Sequence, residues 1–452
     1  MTRPMGSLFL DVLAGNRSGT AKGIYSICSA NRDVLEACFR QAKSDGSLVL
    51  IESTSNQVDQ FGGYTGMKPG DFVHFIQTLA AENGFPGDLI LLGGDHLGPN
   101  AWQLLPATEA MARANELIQE YVKAGYQKIH LDTSMYCADD AGDRTRPLND
   151  RIVATRTLEL CKTAERTRKA QFGTEPGLIY IVGTEVPVPG GARAAEATIH
   201  PTRPEDAATT LTVLKEHFTR NGMTAAWNRV SGLVVQPGVE FSDDTVFRYN
   251  RRAAAGLSRQ ILTHERLVYE AHSTDYQSES DLKALVEDHF CILKVGPWLT
   301  FVYREALFAL EAMEIELLGK QGDLSGLADS LDRAMVKNPV YWKSHYHGNE
   351  DIVCFKRKYS FSDRSRYYWT DPGVDHAKKR LFRNLTDHAI PFSLLSQFMP
   401  DQFNEVCENK INPVPTDLVQ NHIMAVIRKY ARACGLTAEK SNEGNSYLYK
   451  GN

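Results

Sequence analysis

The chain has 452 residues, 42% of them hydrophobic, enough to bury a large core and too many for a small fold held by disulfides or metal alone. Its 50 basic and 55 acidic residues leave a net charge of −5 spread along the whole length, so no basic field invites nucleic acid or an anionic membrane surface, and small-molecule ligands are expected. The eight cysteines are scattered with no Cys-x-x-Cys pair, the apolar patch Leu8-Phe9-Leu10 is cut by Asp11, and no apolar run nears the roughly 20 residues of a membrane span. These features predict a soluble, cytoplasmic protein with reduced thiols.

Eight short apolar runs follow in chain order: 23–29 (GIYSICS), 47–53 (SLVLIES), 89–95 (LILLGGD), 128–134 (KIHLDTS), 178–186 (LIYIVGTEV), 232–238 (GLVVQPG), 267–273 (LVYEAHS) and 291–297 (CILKVGP). Each ends in polar residues, as expected of parallel strands buried on both faces. Segments 32–43, 71–83, 109–124 and 150–168 between them carry apolar residues at helical spacing, and the long connection 195–228 has room for a helix over 204–221. This alternation predicts an α/β fold, a (β/α)8 TIM barrel over residues 1–320, with 300–318 as its last helix. Residues 321–452 read as a mainly helical C-terminal extension packed on the barrel, with an aromatic and basic stretch at 359–369 (YSFSDRSRYYW).

Barrel enzymes place chemistry at the C-terminal ends of their strands, where all eight open into one cup. Those ends offer Glu52, Ser55, Asn56 and Gln57, then Asp95 and His96, Asp132 and Ser134, Glu185, Gln236, Glu270, His272 and Ser273, and Lys294. Asp and His also cap strands, but imidazoles and carboxylates arriving from several strands suit a divalent cation such as zinc or manganese, with His96, Glu185 and His272 as the first candidate ligands. No phosphate-binding Gly-x-x-x-x-Gly-Lys-[Ser/Thr] loop, Gly-x-Ser-x-Gly elbow or His-Glu-x-x-His pair occurs. The basic stretch 356–366, with Lys356, Arg357, Lys358, Arg364 and Arg366 against one acid, Asp363, reads as a solvated face, with a phosphate clamp that adds the hydroxyls of Ser360 and Ser362 as the alternative.

The runs ESTSNQVDQFGGYTGM (52–67), GGDHLGPN (93–100), GTEVPVPGGA (183–192), VVQPGVEF (234–241), EAHSTDYQ (270–277), LKVGP (293–297) and SHYHG (344–348) carry a resemblance. In order and length they resemble the Z-subunit family of tagatose-1,6-bisphosphate aldolase, related to the class II, metal-dependent ketose-bisphosphate aldolases. The resemblance implies the same barrel, a proton-transfer role for Asp95, and metal binding by His96, Glu185 and His272. Gln236 stands where the aldolases have a further histidine ligand, so it becomes a possible ligand or hydroxyl contact. Zinc is the implied metal, with manganese, nickel and cobalt as alternatives.

Members of that family act either as 4-epimerases on tagatose 6-phosphate and related ketoses or as non-catalytic partners that stabilise a class II aldolase chain. For this chain the resemblance implies metal-dependent C4 epimerisation of a ketohexose or ketohexose 6-phosphate, with the aldolase-partner role as the alternative. Asp95, Glu185 and Lys294 form the expected catalytic set, Lys294 as an oxyanion or phosphate contact. Asn56, Gln57, Asp132, Ser134, Gln236, Glu270, Ser273 and Arg364 are the expected substrate contacts. A homo-oligomer is expected, with neither nucleic acid nor membrane as partner.

Overall fold

A computed structural model of the chain describes residues 5–173, 177–183, 199–319 and 322–437. In chain order its strands are β1 (Ile24–Ile27), β2 (Val49–Thr54), β3 (Ile90–Leu97), β4 (Lys128–Asp132), β5 (Ile179–Gly183), β6 (Val230–Val235), β7 (Glu240–Phe241), β8 (Val246–Phe247), β9 (Val268–Ala271) and β10 (Phe290–Val295). All but β7 and β8 run parallel and close into one barrel, each predicted run supplying one strand. β7 and β8 form a small antiparallel hairpin after β6, which the sequence pattern did not announce.

Side chains alternate along each strand between the barrel interior and the surrounding helices. Tyr25, Ile27, Val49, Ile51, Ile129 and Leu131 face outward into the large core shared with the helices. Ile24, Leu50, Ile181, Val234, Val268 and Ile292 face inward as a second, smaller apolar cluster. The helix Met5–Arg17 joins that inner cluster through Phe9 and Leu13, which carry the 4-residue spacing of one helix face. It therefore seals the barrel at the N-terminal ends of the strands.

In four of these strands the inward apolar position is followed two residues later by a buried polar one: Ser26 in β1, Glu52 in β2, Glu270 in β9 and Lys294 in β10. The barrel thus has an apolar floor and a polar layer above it. Glycine makes room for that layer, since a Cβ on Gly93 would lie 2.7 Å from Cγ of Glu52.

Beyond the helix Pro297–Leu318 the described chain is helical, with Leu327–Lys337, Glu350–Tyr359, Pro372–Asp387 and Pro415–Ala433 its longest elements. Pro415–Ala433 packs against the helices Arg32–Asp45, Glu279–Glu287 and Pro297–Leu318. Its Tyr430 hydroxyl donates to the carbonyl of Thr274 at 2.8 Å, just past β9. Among the described residues no helix is long and apolar enough to cross a membrane.

Candidate active site

Above the floor lies a network of buried charges. Lys128 of β4, fully buried, places Nζ 2.8 Å from Glu52 and 2.8 Å from Glu270. Lys294 reaches Glu52 at 2.9 Å, Asp95 at 3.1 Å and Glu270 at 3.7 Å. Ser26 donates to the other oxygen of Glu52 at 2.7 Å. A buried carboxylate is tolerated only when paired and hydrogen-bonded, and each of these is.

Around Asp95 stand three histidines. His130 Nδ1 lies 2.8 Å from Asp95 Oδ1 and 3.2 Å from the backbone N–H of His96. The shorter contact, to a charged acceptor, makes Nδ1 the protonated nitrogen and leaves the lone pair on Nε2. His96 Nε2 is 3.7 Å from Asp95 Oδ2, while its Nδ1 sits 2.8 Å from Asp132. His272 Nε2 lies 3.0 Å from Glu270 and 4.0 Å from Asp95. His96 and Ser273 both hold left-handed backbone, at φ 50° and 53°, an uncommon conformation that concentrates at functional sites.

Burial opposes charge on Asp95, but His96, Lys294, His272 and His130 outweigh it and hold the carboxyl well below the usual carboxylate range. Glu270 is likewise held well below its usual range against burial, chiefly by Lys128 and Lys294. Burial dominates at His272 and lowers it to about 4, so that imidazole is neutral near pH 7. At His96 burial is overcome by Asp95 and Asp132, which raise it.

These residues fit a divalent cation. Ligand atoms of Asp95, His130, Glu270 and His272 all lie within 4.8 Å of one another. His130 Nε2 is buried with no hydrogen-bond partner among the described residues, so its lone pair has nothing else to serve. The ring centroids of His96, His130 and His272 are 4.9, 5.3 and 5.4 Å apart. Three imidazoles bound tetrahedrally at about 2.1 Å would place their centroids about 5 Å apart.

A cavity of about 180 Å³ opens above this cluster, far more than the 10–15 Å³ or so that one water needs. Asp95, His96, His272 and Lys294 form its base, and Ser273 and Asn56 stand beside them. Tyr64 and Thr65 from the loop after β2, and Arg366, Tyr367 and Trp369 from the C-terminal region, wall it.

The expected site residues divide accordingly. Asn56, Gln57, Asp95, His96, His272, Ser273 and Lys294 reach the cavity. Gln57 spends its amide on the backbone, accepting from Thr54 at 3.0 Å and donating to Cys28 at 3.2 Å. Asp132 and Ser134 lie behind His96 and orient it, with Ser134 donating to Asp132 at 2.6 Å. Glu270 lies beneath the cavity in the charge network. Glu185 falls outside the described residues.

Two expected contacts do not join the group. Gln236 Oε1, the atom that would ligate, accepts the N–H groups of Gly238 and Val239 at 2.8 and 3.0 Å, because the chain turns there toward the β7–β8 hairpin. Arg364 is buried against Tyr341 and Tyr367, and Arg366, two residues on, faces the cavity instead. The supposed solvated face is largely interior: Ser360 and Ser362 hydrogen-bond to Asp243 at 3.0 and 3.3 Å, and Arg357 pairs with Asp332 at 2.6 Å. His130 and Lys128 were not anticipated. Their signal was the alternation Lys128-x-His130-x-Asp132, three polar residues on one face of a strand whose other face is apolar.

The crystal structure of a probable tagatose 6 phosphate kinase from Sinorhizobium meliloti 1021 is 41% identical, covers 91% of this chain and 100% of its own, and superposes with a TM-score of 0.82. Two remoter structures are the fructuronate-tagaturonate epimerase UxaE from Cohnella laeviribosi (10% identity, 92% of this chain and 81% of its own, TM-score 0.49) and the YdjI aldolase from Escherichia coli K12 (13%, 84% and 96%, 0.38). The family model for the D-tagatose-1,6-bisphosphate aldolase subunit GatZ/KbaZ-like proteins matches residues 9–435, and the chain belongs to that family.

Proposed function

We propose that this chain epimerises C4 of a ketohexose or ketohexose 6-phosphate, converting D-tagatose 6-phosphate to D-fructose 6-phosphate by retro-aldol cleavage and re-addition. The observation that carries the reading is an ionised Asp95 at the base of the cavity, ringed by three imidazoles and an ammonium. C4 of a 2-ketose is not adjacent to the carbonyl, so simple enolisation cannot invert it, whereas breaking C3–C4 can.

His96, His130 and His272, with Glu270 as carboxylate, are the residues that would hold a divalent cation, zinc first; Glu185 stays a candidate ligand. When bound, that ion supplies Lewis acidity to the C2 carbonyl and C3 hydroxyl oxygens. Asp95 accepts the C4 hydroxyl proton as the C3–C4 bond breaks. Lys294 stabilises the negative charge that gathers on the enediolate oxygens. The aldehyde turns, its other face is attacked, and the same proton returns to the new C4 oxygen, so no atom is gained or lost. Ser273 and Asn56 contact substrate hydroxyls, and Tyr64, Tyr367 and Trp369 exclude water.

The test follows the purified chain with tagatose 6-phosphate by NMR, with and without EDTA, beside Asp95→Asn. Metal-dependent conversion lost in Asp95→Asn supports the reading, and no conversion with any divalent metal sinks it. The family description, an aldolase subunit, favours a second reading as a stabilising partner of a class II aldolase, which co-purification of such a chain would support. We propose too that 1–320 is the barrel and 321–452 an extension packed on it. Removing 321–452 would take Tyr430 from Thr274, and thermal denaturation of the shortened chain measures the dependence.

A further inference from the structure

The cavity is walled by a cation that the mechanism above leaves unused. Arg366 donates from Nη1 to the carbonyls of Ser362 and Asp363, the latter at 3.0 Å, and from Nη2 to the Tyr367 hydroxyl at 2.8 Å. Its guanidinium carbon stacks 4.5 Å from the Tyr367 ring centroid. All of these partners are neutral, and Arg366 forms no ion pair among the described residues. Two acids act on it from beyond ion-pair distance: Asp363, which accepts from Thr300 at 2.6 Å and lies 3.6 Å from Arg304, and Asp275, which lines the same cavity and accepts the N–H groups of Gly296 and Trp298.

Lys294, the other cation facing the cavity, presents the opposite case. Glu52, Asp95 and Glu270 all lie within 3.7 Å of its ammonium. Among the described residues the cavity therefore has a base whose ammonium contacts three carboxylates and a wall whose guanidinium contacts none. A guanidinium fixed by carbonyls and a ring, with no carboxylate in contact, is prepared for an oxyanion brought by the ligand.

We infer that Arg366 binds the terminal phosphate of the substrate, so that the site takes a ketose 6-phosphate in preference to the free sugar. This rests on the epimerase reading for the placement of the sugar end, C2 to C4, over Asp95. It narrows the clamp expected of the basic stretch 356–366 to Arg366, since the side chain of Arg364, the expected substrate contact, packs against Tyr341 and Tyr367.

The test is calorimetric and needs no turnover. The metal-loaded full chain is titrated with fructose 6-phosphate, fructose and fructuronate, beside Arg366→Met and Arg366→Lys. Wild type should prefer fructose 6-phosphate to fructose by at least about 10-fold, and Arg366→Met should weaken the phosphate ester about 10- to 100-fold while leaving fructose unchanged. Arg366→Lys, which keeps a charge but not the fork, should fall between, and it serves if the Met variant does not fold. Equal affinities of wild type for ester and free sugar, or an unchanged preference in either variant, would overturn the inference. Tighter binding of fructuronate than of fructose 6-phosphate would overturn the phosphate assignment in favour of a carboxylate. Phosphate-selective binding without turnover leaves the inference standing while the epimerase reading fails, and equal turnover of both sugars does the reverse.

Discussion

His96 and Asp132 are joined by a 2.8 Å contact from Nδ1 to Oδ2, while Ser134 occupies the other oxygen of the same carboxylate. The pair fixes which ring nitrogen faces Asp95, in a residue whose backbone is already held at φ 50°. Gly98 protects the arrangement, because a Cβ there would sit 1.7 Å from the carbonyl oxygen of Asp132.

Asp132→Asn should therefore leave the barrel folded but weaken zinc binding by about 10- to 100-fold, the usual cost of losing an orienting partner. Competition with a chromophoric chelator measures it. Unchanged zinc affinity would remove His96 from the centre.

His130→Gln and Gln236→Ala form a matched pair. The first should lower zinc affinity by at least about 10-fold, since it removes a lone pair with no other use. The second should leave zinc affinity alone and cost about 1–2 kcal/mol of stability, because two backbone N–H groups lose their acceptor. Reversal of the two phenotypes would restore Gln236 to the centre and exclude His130.

Lys128→Met should destabilise the fold by about 3–5 kcal/mol in urea denaturation, because Glu52 and Glu270 lose the buried ammonium they share. Adding Glu52→Gln should recover part of that loss. If the double variant is less stable than the single one, the pairing is not what holds Lys128 in place.

Asp275 offers a test in pH. Burial raises its carboxyl to about 6, against backbone N–H groups of Trp298 and Gly296, which donate to it at 2.8 and 3.0 Å and lower it. The folded protein thus keeps a proton that the unfolded chain releases near pH 4, so this group stabilises the fold below pH 4 and that contribution is lost as pH rises through 6. Relative to wild type, Asp275→Asn should gain up to about 3 kcal/mol between pH 4 and pH 7. A stability difference that stays flat across that window would refute the raised carboxyl.

Much of the architecture was legible because parallel strands buried on both faces announce themselves as apolar runs, and the polar ends marked Asp95, His96, His272 and Lys294. The same habit hid Lys128 and His130. A run judged by its overall apolarity conceals an inward face that is polar at every second residue, and KIHLD is such a run. Gln236 and Arg364 were misplaced for another reason. Both sit where the backbone turns, at the approach to the β7–β8 hairpin and in the 3-10 turn Arg364–Tyr367, and a turn sets side-chain direction by dihedral angles that residue type does not reveal. The helix Met5–Arg17 escaped notice because its apolar face is short and meets only the ends of strands.

That helix bears on traffic. With Phe9 and Leu13 stoppering the N-terminal end of the barrel, the cavity over the polar layer lies, among the described residues, at the opposite end. A molecule cleaved over Asp95 would find its way closed on the helix side, and the half lying deeper would depart only after the other moved aside. Rejoining would then compete with escape on terms set partly by a helix that touches neither fragment.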